Sequence, residues 1–476
     1  MKLETIEIVI RAIRTVPLAL CLTVLMACSP SEPQAPAFQE ARSDAVLYQG
    51  ARLLIGDGTT IENGVLLVEG GRIAAVGEAT AVSVPENVAR INLAGKTVMP
   101  AMIDAHAHLG YEGYQSWGAE NYSRETLIDH LNRYSYYGFA AVFSAGSDPH
   151  ELALEIQRAQ QQGSLGGARF LFAAGMGPPG QGPNDRFLEH ALAIQESTGM
   201  TVLSGLASAE QARTAAAAVA GKGMSFIKIW VDDRGGSQDK LAPEIYRPLL
   251  IEARQLGLDV LVHQQFVSDM PDLLDAGVTG FLHGRLGPEL DRELAEQIAA
   301  AGAFVVPNLG LGELRRERVA DDPFLAEATA PQVIARLGES FDQRPVSAVS
   351  ADQESELRES MGHLLAADVD ILLGTDAGAV PDHFFGYTGH RELEIFVRLG
   401  MTPGQAIMAA TSKPAARLGL EDLGTLATGK RADFLVLDAN PLENIRNTRS
   451  ISRFFQGGVE VDRQALRERW MAPVAP

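Results

Sequence analysis

Short apolar runs recur between residues 98 and 378, and longer segments of mixed polarity separate them. Segments such as EIYRPLLIEARQLG repeat their apolar residues every three or four positions, as an amphipathic helix does. Continuously apolar strands that alternate with helices are typical of a parallel sheet buried on both faces. The pattern therefore predicts an α/β protein whose body is a (β/α)8 TIM barrel. The eight runs are TVMPAMID, GFAAVFSAG, ARFLFAAG, SFIKIWVDD, LDVLVH, VTGFLH, GAFVVPN and VDILLGTDAG.

An open, doubly wound parallel sheet is the alternative arrangement of the same elements. That fold commonly carries a Gly-x-Gly-x-x-Gly fingerprint after its first strand. No such motif follows the first apolar run here. The barrel is therefore the preferred prediction.

Both ends of the chain have a different pattern. VLYQGARLLIGDG and GVLLVEGGRIAAVG near the start, and GTLATGKRADFLVLDANP near the end, are short β-type runs punctuated by glycine. They predict one small β-sandwich domain formed from both chain ends. The predicted order is a signal segment (1–28), a tether (29–44), an N-terminal sandwich segment (45–99), the barrel (100–423) and a C-terminal sandwich segment (424–470).

Composition narrows the class of partner. The 476 residues are 46% hydrophobic and 21% charged, which is ordinary for a globular protein, but the formal net charge is −20. Because no run rich in lysine or arginine interrupts this acidity, binding to nucleic acid or to an acidic membrane surface is not expected. A small-molecule substrate is the expected partner.

Residues 1–28 have the composition of an export signal, with basic residues before an apolar stretch that ends at Cys28. The end of the stretch resembles a bacterial lipoprotein signal, in which the cysteine becomes the lipidated first residue. An exported protein is expected, either periplasmic or anchored to the outer membrane through a lipid on Cys28. An ordinary secretory signal followed by a disordered start is the alternative.

Cysteine usage restricts the chemistry of the body. The only two cysteines, Cys21 and Cys28, both lie in the signal segment. The folded body therefore forms no disulfide, and any metal ion that it holds must bind imidazole nitrogen or oxygen.

Ligand-type side chains stand at the ends of the predicted strands, where a barrel builds its active site. Zn²⁺ takes imidazole nitrogen and carboxylate oxygen, and a catalytic site leaves one position open for water. Four histidines and one aspartate can hold two such ions if another group bridges them. The residues are His106 and His108 after the first strand, Lys228 in the fourth, His263 after the fifth, His283 after the sixth and Asp376 after the eighth.

Lys228 lies among apolar residues in SFIKIWVDD. As an ammonium ion it cannot bind a metal. If burial removes its proton, carbon dioxide can cap the amine as a carbamate, whose two oxygens can reach two ions. A salt bridge to Asp233 is the alternative role of this lysine.

These motifs resemble the amidohydrolase superfamily, in its two-metal, carboxylated-lysine branch and closest to the imidazolonepropionase-related and prolidase-like group. The matching segments are PAMIDAHAH, FIKI, LVHQQF, GFLHGR, LLGTDAG and the terminal segments GVLLVEGGRIAAVG and GTLATGKRADFLVLDANPLENI. Together they cover roughly residues 46–461.

The resemblance implies a role for each matching residue. His106, His108 and Asp376 would bind one ion, His263 and His283 the other, and carboxylated Lys228 both. A hydroxide that bridges the ions would attack the substrate, and Asp376 would carry the proton to the leaving nitrogen. The expected reaction is hydrolysis of a C–N bond, with two divalent ions, most simply Zn²⁺, as cofactors.

Weaker candidates for substrate binding each have a structural alternative. Arg285 can clamp a substrate carboxylate or pair with a carboxylate such as Asp233. The other candidates are Tyr111, Gln264, Asn308 and His390, whose alternatives are packing or capping. His130, His150, His190, His363 and His383 are not at predicted strand ends, so surface or core roles are expected for them.

The substrate class remains open between a dipeptide, an N-acyl amino acid and a cyclic amide. A dipeptide needs a cation for its carboxylate, for which Arg285 is the candidate. Two other functions are alternatives: a binding lipoprotein that has lost catalysis, and a single-metal deaminase. The resemblance also implies assembly into a homo-oligomer.

Overall fold

The computed structural model describes residues 45–344, 346 and 349–472. The segments predicted as a signal (1–28) and a tether (29–44), with Cys28, lie outside these residues. In the portion of the chain that is described, no helix has both the length and the apolar character needed to cross a bilayer. The strands are β1 (Val46–Leu54), β2 (Thr60–Glu69), β3 (Arg72–Glu78), β4 (Ala89–Asn92), β5 (Thr97–Pro100), β6 (Met102–Ala107), β7 (Phe139–Ser144), β8 (Arg169–Phe172), β9 (Ala174–Gly177), β10 (Leu203–Gly205), β11 (Phe226–Val231), β12 (Asp259–Gln264), β13 (Gly280–Leu282), β14 (Phe304–Val306), β15 (Phe434–Leu437), β16 (Ile451–Gln456) and β17 (Val459–Glu460).

Helices fill most of the segments between the parallel strands. Polar residues fix where several of them begin: Ser123 accepts a hydrogen bond from the Thr126 backbone, and Ser350 with Gln353 forms a capping box. The helices are α1 (Arg124–Tyr136), α2 (His150–Gln161), α3 (Asp185–Thr198), α4 (Ala209–Gly221), α5 (Pro243–Gln255), α6 (Met270–Ala276), α7 (Arg292–Ala301), α8 (Gly310–Glu313), α9 (Pro323–Ala326), α10 (Pro331–Asp342), α11 (Ala351–Ala366), α12 (Tyr387–Arg398), α13 (Pro403–Ala410), α14 (Ser412–Arg417) and α15 (Arg463–Met471).

Strands from both ends of the chain share one mixed sheet. Its order is β17-β16-β15-β5-β1-β2-β3, with β4 beside β1. The antiparallel pairing of β15 with β5 joins the C-terminal strands to the N-terminal ones. An aromatic cluster stabilises this join, because the Phe434 ring centroid lies 4.6 Å from that of Phe455 and 5.1 Å from that of Tyr48.

The other strands are parallel and form two sheets, ordered β10-β9-β11-β12-β13-β14 and β6-β7-β8. Almost all of their residues are buried, as the continuously apolar runs predict. The predicted α/β alternation of strands and helices is therefore confirmed.

Two predicted strands are divided in the structure. In the first apolar run, the Ala101 amide donates to the Asp433 carbonyl, whereas the Met102 amide donates to the Gly138 carbonyl. Because the hydrogen-bonding partner changes at this point, β5 lies in the mixed sheet and β6 in a parallel sheet. The third run likewise splits at Ala173, so β8 and β9 belong to different sheets.

The eighth predicted strand is also different. In residues 369–378 the structure has two isolated parallel bridges, Ile371 with Val305 and Ala377 with Ala107. Backbone hydrogen bonds still tie this segment to both neighbours: the Leu372 amide donates to Val305, and the His108 amide donates to Ala377. The segment therefore lies between β14 and β6 without the regular pairing of a strand.

Candidate metal centre

The ligand-type residues predicted from the strand ends come together at the carboxyl ends of the parallel strands. His106 lies in β6 and His108 directly after it, Lys228 in β11, His263 in β12, His283 after β13 and Asp376 in the bridging segment. Lys228, His108, His263, His283 and Asp376 line one cavity of about 150 Å³. His106 is fully buried behind this lining, and its Nε2 contacts the Asp376 carboxylate.

His106, His108 and Asp376 form a compact triad. Oδ1 of Asp376 lies 3.3 Å from Nε2 of His106 and 3.2 Å from Nε2 of His108. A tetrahedral ion with bonds of about 2.1 Å separates its ligands by roughly 3.4 Å, so these distances match the edges of a metal site. Among the described residues, neither Nε2 of His106 nor Oδ1 of Asp376 has a hydrogen-bonding partner. The orphaned atoms and the nitrogen-and-oxygen donor set fit a divalent cation.

The imidazole rings continue from the triad as a connected row. Ring centroids are 5.3 Å apart for His106 and His108, 5.0 Å for His106 and His283, and 4.5 Å for His283 and His263. Nε2 of His283 lies 3.9 Å from Oδ2 of Asp376, the other oxygen of the same carboxylate. The Asp376 carboxylate therefore lies between two pairs of histidines, one formed by His106 and His108 and the other by His263 and His283.

Each imidazole has one nitrogen held by a neighbouring polar group, as metal-binding histidines commonly do. Nδ1 of His108 lies 2.8 Å from the Ser147 hydroxyl, and Nε2 of His263 lies 2.9 Å from Oδ2 of Asp232. The remaining nitrogen of each ring is left for a ligand. Sequence reasoning missed Ser147 and Asp232 because both lie in loops, away from any metal-ligand motif.

Asn308 contacts the other two histidines. Its Nδ2 lies 2.8 Å from Nδ1 of His106 and 3.3 Å from Nδ1 of His283, while its Oδ1 has no partner among the described residues. A metal at Nε2 leaves the ring proton on Nδ1, where an oxygen must accept it. A half-turn of the amide presents Oδ1 to both rings, so Asn308 is compatible with a metal-bound state.

Burial favours the neutral form of the imidazoles of His106, His263 and His283. The pKa values of His106, His263 and His283 are lowered well below the usual value by burial, and nearby positive charges lower those of His263 and His283 further. Neutral imidazoles offer a lone pair to a metal. Burial alone would raise the pKa of Asp376, but His106 and His108 outweigh it and lower this pKa to about 2.

Lys228 is 1% exposed, and burial lowers the pKa of its amine to about 7. Its Nζ lies 5.7 Å from the Trp230 ring centroid, and no described residue accepts a hydrogen bond from it. The salt bridge to Asp233 is not formed, because Asp233 instead accepts a hydrogen bond from the Gly235 backbone. Lys228 is therefore a buried amine that faces the site, and the charge of Asp376 offsets its burial only in part.

The backbone around the site is held in unusual conformations. His283, Asn308 and Asp376 have φ angles of 96°, 50° and 59°, in the left-handed region that non-glycine residues rarely adopt. Gly378, two residues after Asp376, has a φ of 85°, and a Cβ there would lie 2.0 Å from the His108 carbonyl oxygen. This close approach explains the glycine in LLGTDAG.

A buried carboxylate beneath the site ties its two halves together. Asp104 accepts hydrogen bonds from the backbone amides of His106 and Thr375, from the Thr375 hydroxyl at 2.6 Å and from the Tyr134 hydroxyl at 2.8 Å. It thereby links β6 to the segment that carries Asp376. The buried aspartate in MIDAHAH was the available sequence signal, and sequence reasoning overlooked it.

The candidate substrate residues fall into different surroundings. Arg285 lines the cavity with no carboxylate partner among the described residues and donates to the Gln265 side chain. Gln264 is fully buried, and neither end of its amide has a partner in the described portion of the chain. Arg234, which sequence reasoning missed, also lines the cavity and pairs with Asp232 at 2.8 Å.

Two of these candidates have structural roles instead. Tyr111 is fully buried, and its hydroxyl donates to the Ser147 carbonyl, so it supports the loop that holds His108. His390 lies outside the cavity lining, with its ring nitrogens 2.9 Å from the Thr448 hydroxyl and 2.8 Å from the Tyr137 carbonyl. With both nitrogens engaged in the core, His390 is not available to a substrate at this site.

Another cavity, of about 880 Å³, lies at the opposite edge of the strands. Its lining includes Arg169, Phe226 and Asp259, which begin β8, β11 and β12. No histidine is on the lining of this cavity, in contrast to the cavity at the carboxyl edge.

Comparison with known proteins gives a consistent picture. The Amidohydrolase family matches residues 324–461. Ochratoxinase from Aspergillus niger is 24% identical over 446 residues, which cover 87% of this chain and 85% of that protein. Imidazolonepropionase from Streptomyces griseus is 24% identical over 413 residues, covering 81% of this chain and 89% of that protein.

A solved structure has the same fold. The crystal structure of a Xaa-Pro dipeptidase with methionine bound in its active site is similar to this chain with a TM-score of 0.66 and 22% identity. The match covers 88% of this chain and 99% of that one.

Proposed function

We propose that this chain is an amidohydrolase related to the prolidases and imidazolonepropionases, and that it hydrolyses an amide bond of a small molecule at the cavity around Asp376. The observation that carries this proposal is the position of the Asp376 carboxylate. One oxygen lies 3.2–3.3 Å from two imidazole nitrogens, and the other faces a third histidine.

The proposed site holds two divalent ions, most simply Zn²⁺. His106, His108 and Asp376 would hold one, His263 and His283 the other, and Lys228 as a carbamate both. In forming the carbamate, the neutral amine of Lys228 bonds to the carbon of carbon dioxide and releases one proton. Bound ions would supply a hydroxide nucleophile at neutral pH and polarise the scissile carbonyl.

The side chains of the protein direct the proton. Asp376 is ionised at neutral pH, so it accepts the proton of the attacking water and delivers it to the leaving nitrogen. Phe187 and Trp230 line the cavity and exclude bulk water from the reacting groups. Arg285 lines the same cavity and binds a carboxylate next to the scissile bond in a forked geometry.

The substrate is a dipeptide, an N-acyl amino acid or a cyclic amide. The names of the relatives support this range, since an ochratoxinase, an imidazolonepropionase and a Xaa-Pro dipeptidase are among them. The proposed architecture is the (β/α)8 barrel of such enzymes, with the mixed sheet forming a β-sandwich domain. We also propose export and lipid anchoring through Cys28, with a small molecule as the only partner besides other copies of the chain.

The test is a panel of dipeptides, N-acyl amino acids and lactams incubated with zinc-loaded protein. Asp376→Asn should lower kcat by about 10²-fold or more, because the proton acceptor is lost. Asp275→Asn is the matched control, since Asp275 is 75% exposed and pairs with Arg247 on the surface. Turnover of no panel member, or full turnover by Asp376→Asn, would contradict the proposal.

A further inference from the structure

A second cavity, of about 650 Å³, adjoins the metal-site cavity at the carboxyl edge of the strands. Val380 lines both cavities. Two pairs of adjacent residues are also divided between them: Phe187 lines the first and Arg186 the second, while Leu311 lines the first and Gly312 the second. The two cavities are therefore neighbours that meet at Val380.

Four arginines line this second cavity without a carboxylate partner among the described residues. They come from three separate regions of the chain, and they are Arg186, Arg315, Arg316 and Arg344. Arg186 lies over the Trp117 ring and Arg344 over the Phe341 ring, with guanidinium-to-centroid distances of 5.0 Å and 5.5 Å. All four side chains are exposed, so their guanidinium N–H groups are open to solvent and to an incoming ligand.

The carboxylates on the same lining are already engaged. Glu317 pairs with Arg391, and Asp382 pairs with Arg336 at 2.6 Å. Arg391 and Arg336 are not on the lining. The cavity thus carries an excess of positive charge although the whole protein has a formal net charge of −20.

His383 adds a second, independent signal on the same lining. It is 3% exposed, and its Nε2 has no partner within the described ranges. The His383 carbonyl accepts a hydrogen bond from the Gly378 amide, which keeps this residue beside the segment that carries Asp376. A buried polar atom without a partner is costly unless a ligand or water meets it.

We propose that this arginine cavity binds a carboxylate at the distal end of the substrate, so that the enzyme prefers amides with an acidic group remote from the scissile bond. The inference rests on the proposed hydrolysis at Asp376. Guanidinium groups bind carboxylates through paired N–H donors. A cluster of several unpaired arginines in an acidic protein also attracts anions from solution. The chemistry thus defines the substrate as an acidic acyl amide or a dipeptide with an acidic side chain.

Isosteric substrate pairs provide the test. N-succinyl amino acids are compared with N-succinamoyl amino acids, and Glu-Xaa dipeptides with Gln-Xaa dipeptides, each pair differing only in the distal charge. Wild-type enzyme should show a kcat/KM at least roughly 10-fold higher for the acid, and salt at about 500 mM should shrink this ratio. In the Arg315→Gln/Arg316→Gln variant the ratio should fall towards unity. The control Arg292→Gln removes an 81% exposed arginine elsewhere and should leave the ratio unchanged.

Equal kcat/KM values for acid and amide in the wild-type enzyme would overturn the cavity proposal while hydrolysis itself stood. If no pair is cleaved, calorimetry with glutarate and with inorganic phosphate tests the cavity independently of hydrolysis. Glutarate should bind the double variant at least roughly 10-fold more weakly than the wild type, because the guanidinium groups of Arg315 and Arg316, which would donate to its carboxylates, are lost. Equal glutarate affinities, or tighter binding of phosphate than of glutarate, would overturn the carboxylate assignment.

Discussion

Asn308 is the side chain that connects the two histidine groups, since its amide contacts both His106 and His283. Asn308→Ala should weaken Zn²⁺ binding by about 10- to 100-fold, because the ring protons on Nδ1 lose their common acceptor. Asn308→Asp should retain binding, because a carboxylate oxygen accepts the same bonds. Competition with a chelator measures both affinities. Unchanged affinity in Asn308→Ala, or equal losses in both variants, would refute this role.

Lys228 predicts how the stability of the metal-free protein depends on pH. Its pKa is about 7 when folded and 10.5 when unperturbed, so the unfolded chain binds the extra proton between these values. The cost of burying the amine is therefore fully present below pH 7 and declines as the pH rises. Relative to Lys228→Met, the wild type should gain up to about 1.4 kcal/mol per pH unit. Denaturant unfolding at pH 7 and pH 9 measures this, and a difference independent of pH would contradict it.

At this scale the sequence predicted which ligand types would meet, because strand ends place their side chains at a common edge. It did not predict the groups that orient the ligands. Ser147, Asp232 and Asp104 reach the histidines through hydrogen bonds that no spacing rule records. The sequence left a site role and a structural role open for His390, because the start of a helix near a strand end does not say which way a side chain turns.

At the scale of elements, Asp104 joins β6 to the bridging segment. Asp104→Ala would leave four buried donors without an acceptor, at about 1 kcal/mol or more each. The free energy of unfolding of the metal-free protein should fall by about 3 kcal/mol or more. Asp275→Ala, on the surface, should change it by less than about 0.5 kcal/mol. Equal effects of the two substitutions in denaturant unfolding would show that Asp104 does not link these elements.

The apolar runs located most of the parallel strands but not their interruptions. Hydrophobicity reports burial, and residues on both sides of Ala101 and Ala173 are equally buried. What changes there is the hydrogen-bonding partner, which the pattern of apolar residues does not record. The segment before Asp376 lacks regular pairing for a related reason, since Asp376 adopts a φ of 59°, outside the β region.

At the scale of the whole molecule, the two ends of the chain meet in one sheet through β5 and β15. The glycine-punctuated runs at both ends predicted this sharing, because neither end alone has enough apolar strands to bury a core. Net charge predicted an acidic protein with small-molecule partners. It could not predict the arginine cavity, because folding must first bring its four arginines together from three separate segments.

The most direct test of the proposed metal centre is the number of Zn²⁺ ions that each chain binds. After equilibration with zinc and removal of free metal, elemental analysis should find two ions per wild-type chain. His106→Ala and His263→Ala should each bind fewer, whereas His363→Ala, outside the cavity lining, should bind two. A wild-type chain without bound zinc, or unchanged binding in both cavity variants, would contradict the claim that these side chains form a metal centre.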